Sequence, residues 1–305
     1  MNRPLIAAFV FLALAGCATT PAQREEVATP AEAAGRAFME SSLVLVPESV
    51  GEFRLVSSND YPGHPEWGAG MRYAHPDFPD VLVDLYVYPV GRADRGDALD
   101  SGMGQLRDEL SAMTDQGRYT DMAYGDEVDF NLASVAADGR IDLAGSGPEQ
   151  AAAPRTDEQE ILAAIAGVEA SLDPAVGRKL PLRFARDGEP LDSVAYLFYR
   201  GLFLYKGRIS TSARAMPQDS FDRFANHAMA RLVPAVAVRS TGGCHQTTIS
   251  VNPDASPEQV QRQLMLGAAE SLARSENEGC SEKLDPTVPS GHRGIRLEFP
   301  PSMWR

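Results

Sequence analysis

Histidine and cysteine carry the sharpest side-chain chemistry in this chain, and both are scarce: five histidines and three cysteines in 305 residues. His64 and His75 each precede a proline, in Gly63-His64-Pro65 and Ala74-His75-Pro76. Two imidazoles on neighbouring loops suit a transition metal, with Glu66, Asp77 or Asp80 as a third ligand. Their spacing matches no structural zinc pattern, and surface-loop histidines are the simpler account. His227 and His245 stand singly. The signatures of hydrolysis are missing: no Gly-x-Ser-x-Gly elbow, no Ser-x-x-Lys, no His-Glu-x-x-His. Gly145-Ser146-Gly147 is a turn without the strand-to-helix setting of an elbow. Phosphate-cradling glycine loops are also missing. Acidic residues are spread along the chain and their spatial separation is not written in the sequence, so the paired carboxylates of glycan cleavage stay open. No cofactor is expected. The densest aromatic stretch is Val194–Ser210, where Tyr196, Phe198, Tyr199 and Tyr205 could line a cleft for a small ligand. Aromatic side chains in a sheet are more often core than ligand contacts.

These groups are positioned by a chain with an unusual start. Asn2-Arg3 gives a short basic opening, Leu5 to Ala15 an apolar run, and Leu14-Ala15-Gly16 leads into Cys17. A basic opening, a core of about 7–15 apolar residues and small residues before a cut make a secretory signal peptide. A transmembrane helix needs about 20 apolar residues, and here Thr19, Thr20, Gln23, Arg24 and Glu25 follow at once. The Leu14-Ala15-Gly16-Cys17 stretch resembles the lipobox of bacterial lipoproteins. That resemblance implies cleavage before Cys17, lipid on Cys17, and a place in the cell envelope. With Ala18 and not Asp after the cysteine, it implies the periplasmic face of the outer membrane for a Gram-negative source. If Cys17 carries lipid, Cys244 and Cys280 remain as a pair, which in an exported protein reads as a disulfide. Two separate buried thiols are the alternative.

Composition sets the remaining limits. A 44% hydrophobic, 23% charged chain is globular and not disordered. The formal net charge of −14, with no basic block, argues against nucleic acid and anionic head groups as partners. The expected organisation is a signal peptide over 1–16, an acylated flexible tether over 17–45, and a periplasmic α+β domain over 46–305, with a division into two subdomains near 136–156 left open. No repeat of solenoid period is present.

Period-two patterns predict strands over Glu52–Ser57, Gly70–His75, Val81–Val90, Arg118–Tyr124, Glu127–Val135, Leu180–Arg186, Cys244–Val251 and Ile295–Phe299, and a hairpin over Val194–Ser210. Helical spacing predicts helices from Asp97 to Gln116, from Thr156 to Leu172 with Ile161, Leu162, Ile165, Val168 and Leu172 buried, and over Gln218–Val233. A last helix opens at Ser256-Pro257-Glu258-Gln259 and should turn Val260, Leu264, Ala268 and Leu272 inward. Strands in runs, with helices between runs, favour α+β with a largely antiparallel sheet covered by helices. The element order is similar to that of the PsbP-like sandwich. Two functions of different class follow: a non-catalytic, membrane-anchored lipoprotein that supports or contacts another envelope component, or a small-ligand module with its cleft at the 194–210 hairpin.

Overall fold

The alternation of Val81, Val83, Leu85 and Val87 with Leu82, Asp84, Tyr86 and Tyr88 builds a strand at the centre of a large sheet. The first set is buried and the second half-buried. In this computed structural model residues 36–141 and 173–304 are described, with positions 162, 163, 166, 167 and 170, and with the side chains of 273, 275 and 276 excepted. The described residues from Arg36 onward cluster as one unit.

The large sheet contains β2 (Ser49–Val50), β3 (Phe53–Asp60), β4 (Ala69–His75), β5 (Phe78–Pro89), β6 (Thr120–Tyr124), β7 (Val128–Asn131), β8 (Val176–Arg186), β9 (Glu189–Arg200) and β10 (Phe203–Ser212). Its order is β2-β3-β4-β5-β10-β9-β8-β6, with β7 also on β8, and every pairing is antiparallel. A second sheet, β12-β11-β1-β13, is formed by β1 (Ser41–Pro47), β11 (Ala237–Thr241), β12 (Cys280–Ser281) and β13 (His292–Glu298). Among the fully described segments the α-helices are α1 (Arg95–Asp115), α2 (Gln218–Ala235) and α3 (Pro257–Glu278). The architecture is α+β, as the run-wise order of elements implied.

β9 and β10 form the expected hairpin. Arg200 pairs with Phe203, so Gly201-Leu202 is the two-residue turn. Gly201 has φ +63°, which a glycine adopts without strain at this position. The hairpin is buried on both faces. Val194, Tyr196, Phe198, Tyr205 and Ile209 pack with Phe221, Ala225, Ala228 and Leu232 of α2 and with Val44 and Val46 of the small sheet. Ala195, Leu197, Tyr199 and Leu204 pack with Leu99, Met103, Leu106 and Leu110 of α1. The second group is the four-three-four stripe legible in the sequence. α1 is opened by Asp94, whose carboxylate accepts from the Gly96 and Asp97 amides. Gly207 on β10 lets α2 come close, because a Cβ there would lie 2.1 Å from the Met229 sulfur.

Four expectations are corrected. The tether does not run to residue 45: β1 starts at Ser41, is buried along its whole length, and pairs with β11 on one side and β13 on the other. A central strand buried on both faces has no alternation to reveal it. Residues 246–251 are irregular and exposed, not a strand. Their polar pattern offers no apolar face to bury, and the strand lies earlier, at β11. α3 opens with the expected capping box on Ser256 and Gln259, but of its expected inward set only Val260 is half-buried, and Leu264, Ala268 and Leu272 are exposed. Leu264, Met265 and Leu272 are 46%, 43% and 67% exposed, while Gln263, Leu266, Gly267, Glu270 and Arg274 are half-buried. Its C-terminal bonds, described below, fix that roll. Finally, most of the helix expected over 156–172 lies outside the described residues. Positions 162, 163, 166, 167 and 170 are helical, and Leu162 is exposed, not buried. The segments expected as signal peptide and tether, 1–16 and 17–35, with Cys17, also lie outside the described residues.

The buried phenols give the fold an alkaline limit. Desolvation raises the pKa of Tyr73 and Tyr196, and that of Tyr205 to about 12. A group whose folded pKa is raised contributes stability that is complete below its unfolded value, about 10, and is lost as pH climbs through the folded one. Unfolding should therefore accelerate above that value, with the tyrosinate absorbance and the loss of near-ultraviolet dichroism rising together. Tyrosinate formation in a protein that stays folded would contradict it.

Candidate functional site

Cys244 and Cys280 are joined by a disulfide with Cα atoms 6.0 Å apart. Gly279 ends α3 in the left-handed conformation, at φ +59°, and delivers Cys280 onto β12, which runs parallel to β11 with Ser240 beside Cys280. Cys244 sits in a single 3-10 turn after Gly242. The start of the folded unit is bound to the same corner. The Gly243 amide donates to the Ala37 carbonyl and the Cys244 amide to that of Phe38, both at 2.8 Å. Arg36 reaches the Glu282 carbonyl at 3.3 Å.

Beside this corner the exposed 246–251 segment lies along α3. Gly267 is the contact point: a Cβ there would meet Ile249 Cγ2 at 2.6 Å. Between the two lies a groove of about 680 Å³ lined by Arg92, Gln246, Ile249, Gln263, Glu270 and Arg274 among others. Arg92 holds the buried Glu278 through two parallel bonds, Nε to Oε1 at 2.9 Å and Nη2 to Oε2 at 2.7 Å, and also donates to the Cys244 carbonyl at 2.9 Å. Glu278 raises the Arg92 pKa further. Arg274 pairs with Glu270 at 2.8 Å and reaches Glu278 at 3.6 Å. The guanidinium charge of the groove is thus matched by Glu270 within it and Glu278 behind it, and its walls offer amides, hydroxyls and the aliphatic side chains of Ile249 and Leu266. None of these lining residues is an activated nucleophile next to a base.

The four aromatic residues that could have lined a ligand cleft are core. Tyr196, Phe198, Tyr199 and Tyr205 are all buried. The Tyr196 hydroxyl donates to Asn226 Oδ1 at 2.7 Å, and the Tyr199 hydroxyl donates to the Gly91 carbonyl at 2.9 Å while accepting from the Ala93 amide. Tyr205 alone touches an opening, a cleft of about 240 Å³ at the hairpin turn shared with Arg200, Pro234 and Glu278. A strand buried on both faces spends its aromatic side chains on packing.

His64 and His75 take different partners and do not form the metal pair weighed from the sequence. His64 stacks on Trp67 with ring centres 4.1 Å apart and bonds Glu66 at 3.0 Å. His75 is paired instead with His227. His227 Nε2 lies 2.6 Å and His75 Nε2 3.9 Å from Glu52 Oε1, beside the rings of Phe53 and Phe224. The Asp77 amide donates to His75 Nδ1 at 3.1 Å, which places the proton of the neutral ring on Nε2, facing Glu52. That nitrogen has no lone pair to give a metal. The Glu52 carboxyl is held below the usual carboxylate range, first by its own backbone amide and then by His227. Among the described residues no group of three or more His, Cys, Asp or Glu side chains is arranged to hold a metal ion.

Sequence reasoning missed one polar cluster. Lys179 on β8, one of three lysines in the chain, is buried, and its Nζ donates to Asn226 Oδ1 at 3.1 Å with Asp222 at 3.7 Å. Asn226 Nδ2 donates to the Gly139 carbonyl at 3.2 Å. Desolvation lowers the Lys179 pKa. The scarcity of lysine in the chain was the available signal; its partner lies on a helix 47 residues away.

No family model matches this chain, and comparison with curated proteins and with solved structures finds no similar one. Fold and site together define a disulfide-closed α+β unit, and no described helix is long and apolar enough to cross a membrane.

Proposed function

We propose that this chain is a bacterial lipoprotein, cut before Cys17, acylated there, and held on an envelope membrane by the residues up to Arg36. In this reading its folded unit acts by contact with another envelope component and not by turnover. The observation that carries it is the Leu14-Ala15-Gly16-Cys17 stretch, placed a short tether away from a unit closed by the Cys244–Cys280 disulfide. Such a bond belongs to an oxidising compartment. It also leaves Cys17 as the one cysteine available for lipid. Ala18 after the cysteine favours the outer membrane when the source is Gram-negative.

The intact mass of protein extracted from membranes tests it. The mass should lack residues 1–16 and carry added acyl chains. An unprocessed start, or a mature Cys17 without acyl mass, would reject the reading. A small-ligand module remains the second reading, and the groove between α3 and 246–251 favours it there and not at the hairpin, because that groove joins volume to several polar groups.

A further inference from the structure

An amphipathic helix on a globular protein buries its apolar stripe, yet α3 leaves part of its apolar side chains outside: Val260 and Leu266 are half-buried with Gln263, Glu270 and Arg274, while Leu264, Met265 and Ala268 are exposed. We propose that this outward face lies on the membrane surface that carries the Cys17 anchor. The proposal rests on the acylation reading above.

Three features of the molecule select a bilayer as the occupant. The first is where the tether ends. Arg36, Ala37 and Phe38 are bonded to Glu282, Gly243 and Cys244, at the corner where Cys280 follows the last turn of α3. The anchored chain therefore emerges beside this helix and not on the far side of the sheet. The second is reach. The stretch 17–35 spans at most on the order of 60 Å. A helix of 22 residues is about 33 Å long. The tether is long enough to let α3 lie flat and short enough to keep it at the surface.

The third is charge. The protein carries a formal −14, which keeps most of its surface away from phosphate head groups. From Val260 to Ala269 there is no acidic residue, and the one charge is Arg262. The next carboxylate, Glu270, is turned inward onto Arg274. The apolar face thus sits in an acid-poor window of an acidic chain. Ile249 and Val251, exposed on the segment beside α3, add apolar area at its flank. Helices of this kind lie in the interface plane with leucine and methionine buried at the head-group boundary, and such a contact adds to an acyl anchor.

Attachment through Cys17 can be imposed chemically, which separates this proposal from the question of natural acylation. The mature chain, with Cys244–Cys280 intact, is coupled through its Cys17 thiol to a maleimide lipid in phosphatidylethanolamine–phosphatidylcholine vesicles. The probe is the variant Met265→Trp, read against the parent chain, which supplies the background of Trp67 and Trp304. Docking predicts a blue shift of the added emission and loss of most of it to brominated lipids, both abolished when Leu264→Glu is added. Leu264 is exposed, so that change leaves the fold intact, as the dichroism spectrum should confirm. An added tryptophan that stays unshifted and unquenched on tethered protein overturns the proposal. So does lipid-free sedimentation as a dimer that Leu264→Glu dissociates, since the face would then belong to a second copy. Failure of the acylation reading shows separately, in the mass of the cell-derived protein.

Discussion

Cys244→Ser should lower the stability of the folded unit by about 4 kcal/mol while both sheets persist. The bond closes a loop with a sequence separation of 36, and the chain-entropy estimate for such a loop gives that magnitude. The loss should be uneven. The hairpin core of Tyr196, Phe198 and Phe203 lies elsewhere and keeps its packing. The corner does not: Cys280 is carried on a two-residue strand, β12, and α3 meets the rest of the unit there through Arg92 at Glu278 and Ile249 at Gly267. Hydrogen exchange should therefore rise first in α3 and in residues 36–40, with a smaller rise in β9 and β10. Denaturant melts of oxidised and serine-substituted protein give the total. Equal midpoints, or free thiols at both positions in protein purified without reductant, would reject the assignment of the bond as a structural element.

The same corner shows what the sequence could and could not reveal. α1 was legible because its stripe, Leu99 to Leu110, packs on one sheet face; its cap, Asp94, was not read, and the helix starts two residues before the expected Asp97. β5 and the hairpin were legible for the same reason: period two and a glycine turn are properties of neighbours in the chain. β1 was not, because a strand buried on both faces between β11 and β13 reads as an unpatterned apolar run. The roll of α3 was not legible either. Its apolar spacing is that of a buried helix, and what turns it outward is a set of distant partners: Arg92, Cys244 and Ile249. The pairing of Cys244 with Cys280 followed from the lipobox resemblance and the remaining cysteine count. The partnership of His75 with His227 across Glu52 had no local sign, since the two histidines belong to a strand and a helix far apart in sequence.

Asn226→Leu should cost about 3–5 kcal/mol, the range for breaking a buried charged cluster by removing one partner. Asn226 Oδ1 accepts from both the Lys179 ammonium and the Tyr196 hydroxyl, and its Nδ2 donates to the Gly139 carbonyl. Leucine fills much of the same volume and answers none of these groups, and Asp222, at 3.7 Å, is left as the counter-charge of a buried lysine. Lys179→Met should behave in the opposite way, because an apolar side chain of similar length removes the desolvated charge altogether; it should be neutral or stabilising. The pH dependence separates the two accounts. Desolvation holds the folded pKa of Lys179 below the ordinary 10.5. Below that folded value both states bind the proton and the cost of burying the charge is complete. As pH rises from there toward the unfolded value, the folded state sheds its proton first, the unfolded chain binds more protons, and the stability contribution rises. The advantage of Lys179→Met over the parent should therefore be greatest at neutral pH and should narrow on the alkaline side. Paired denaturant melts at neutral and alkaline pH measure it. The alkaline measurement is kept below about 10, where tyrosine stays protonated in both states of both chains. A difference that stays constant with pH would mean that Lys179 is not held as a desolvated charge and that the cluster owes its stability to packing alone.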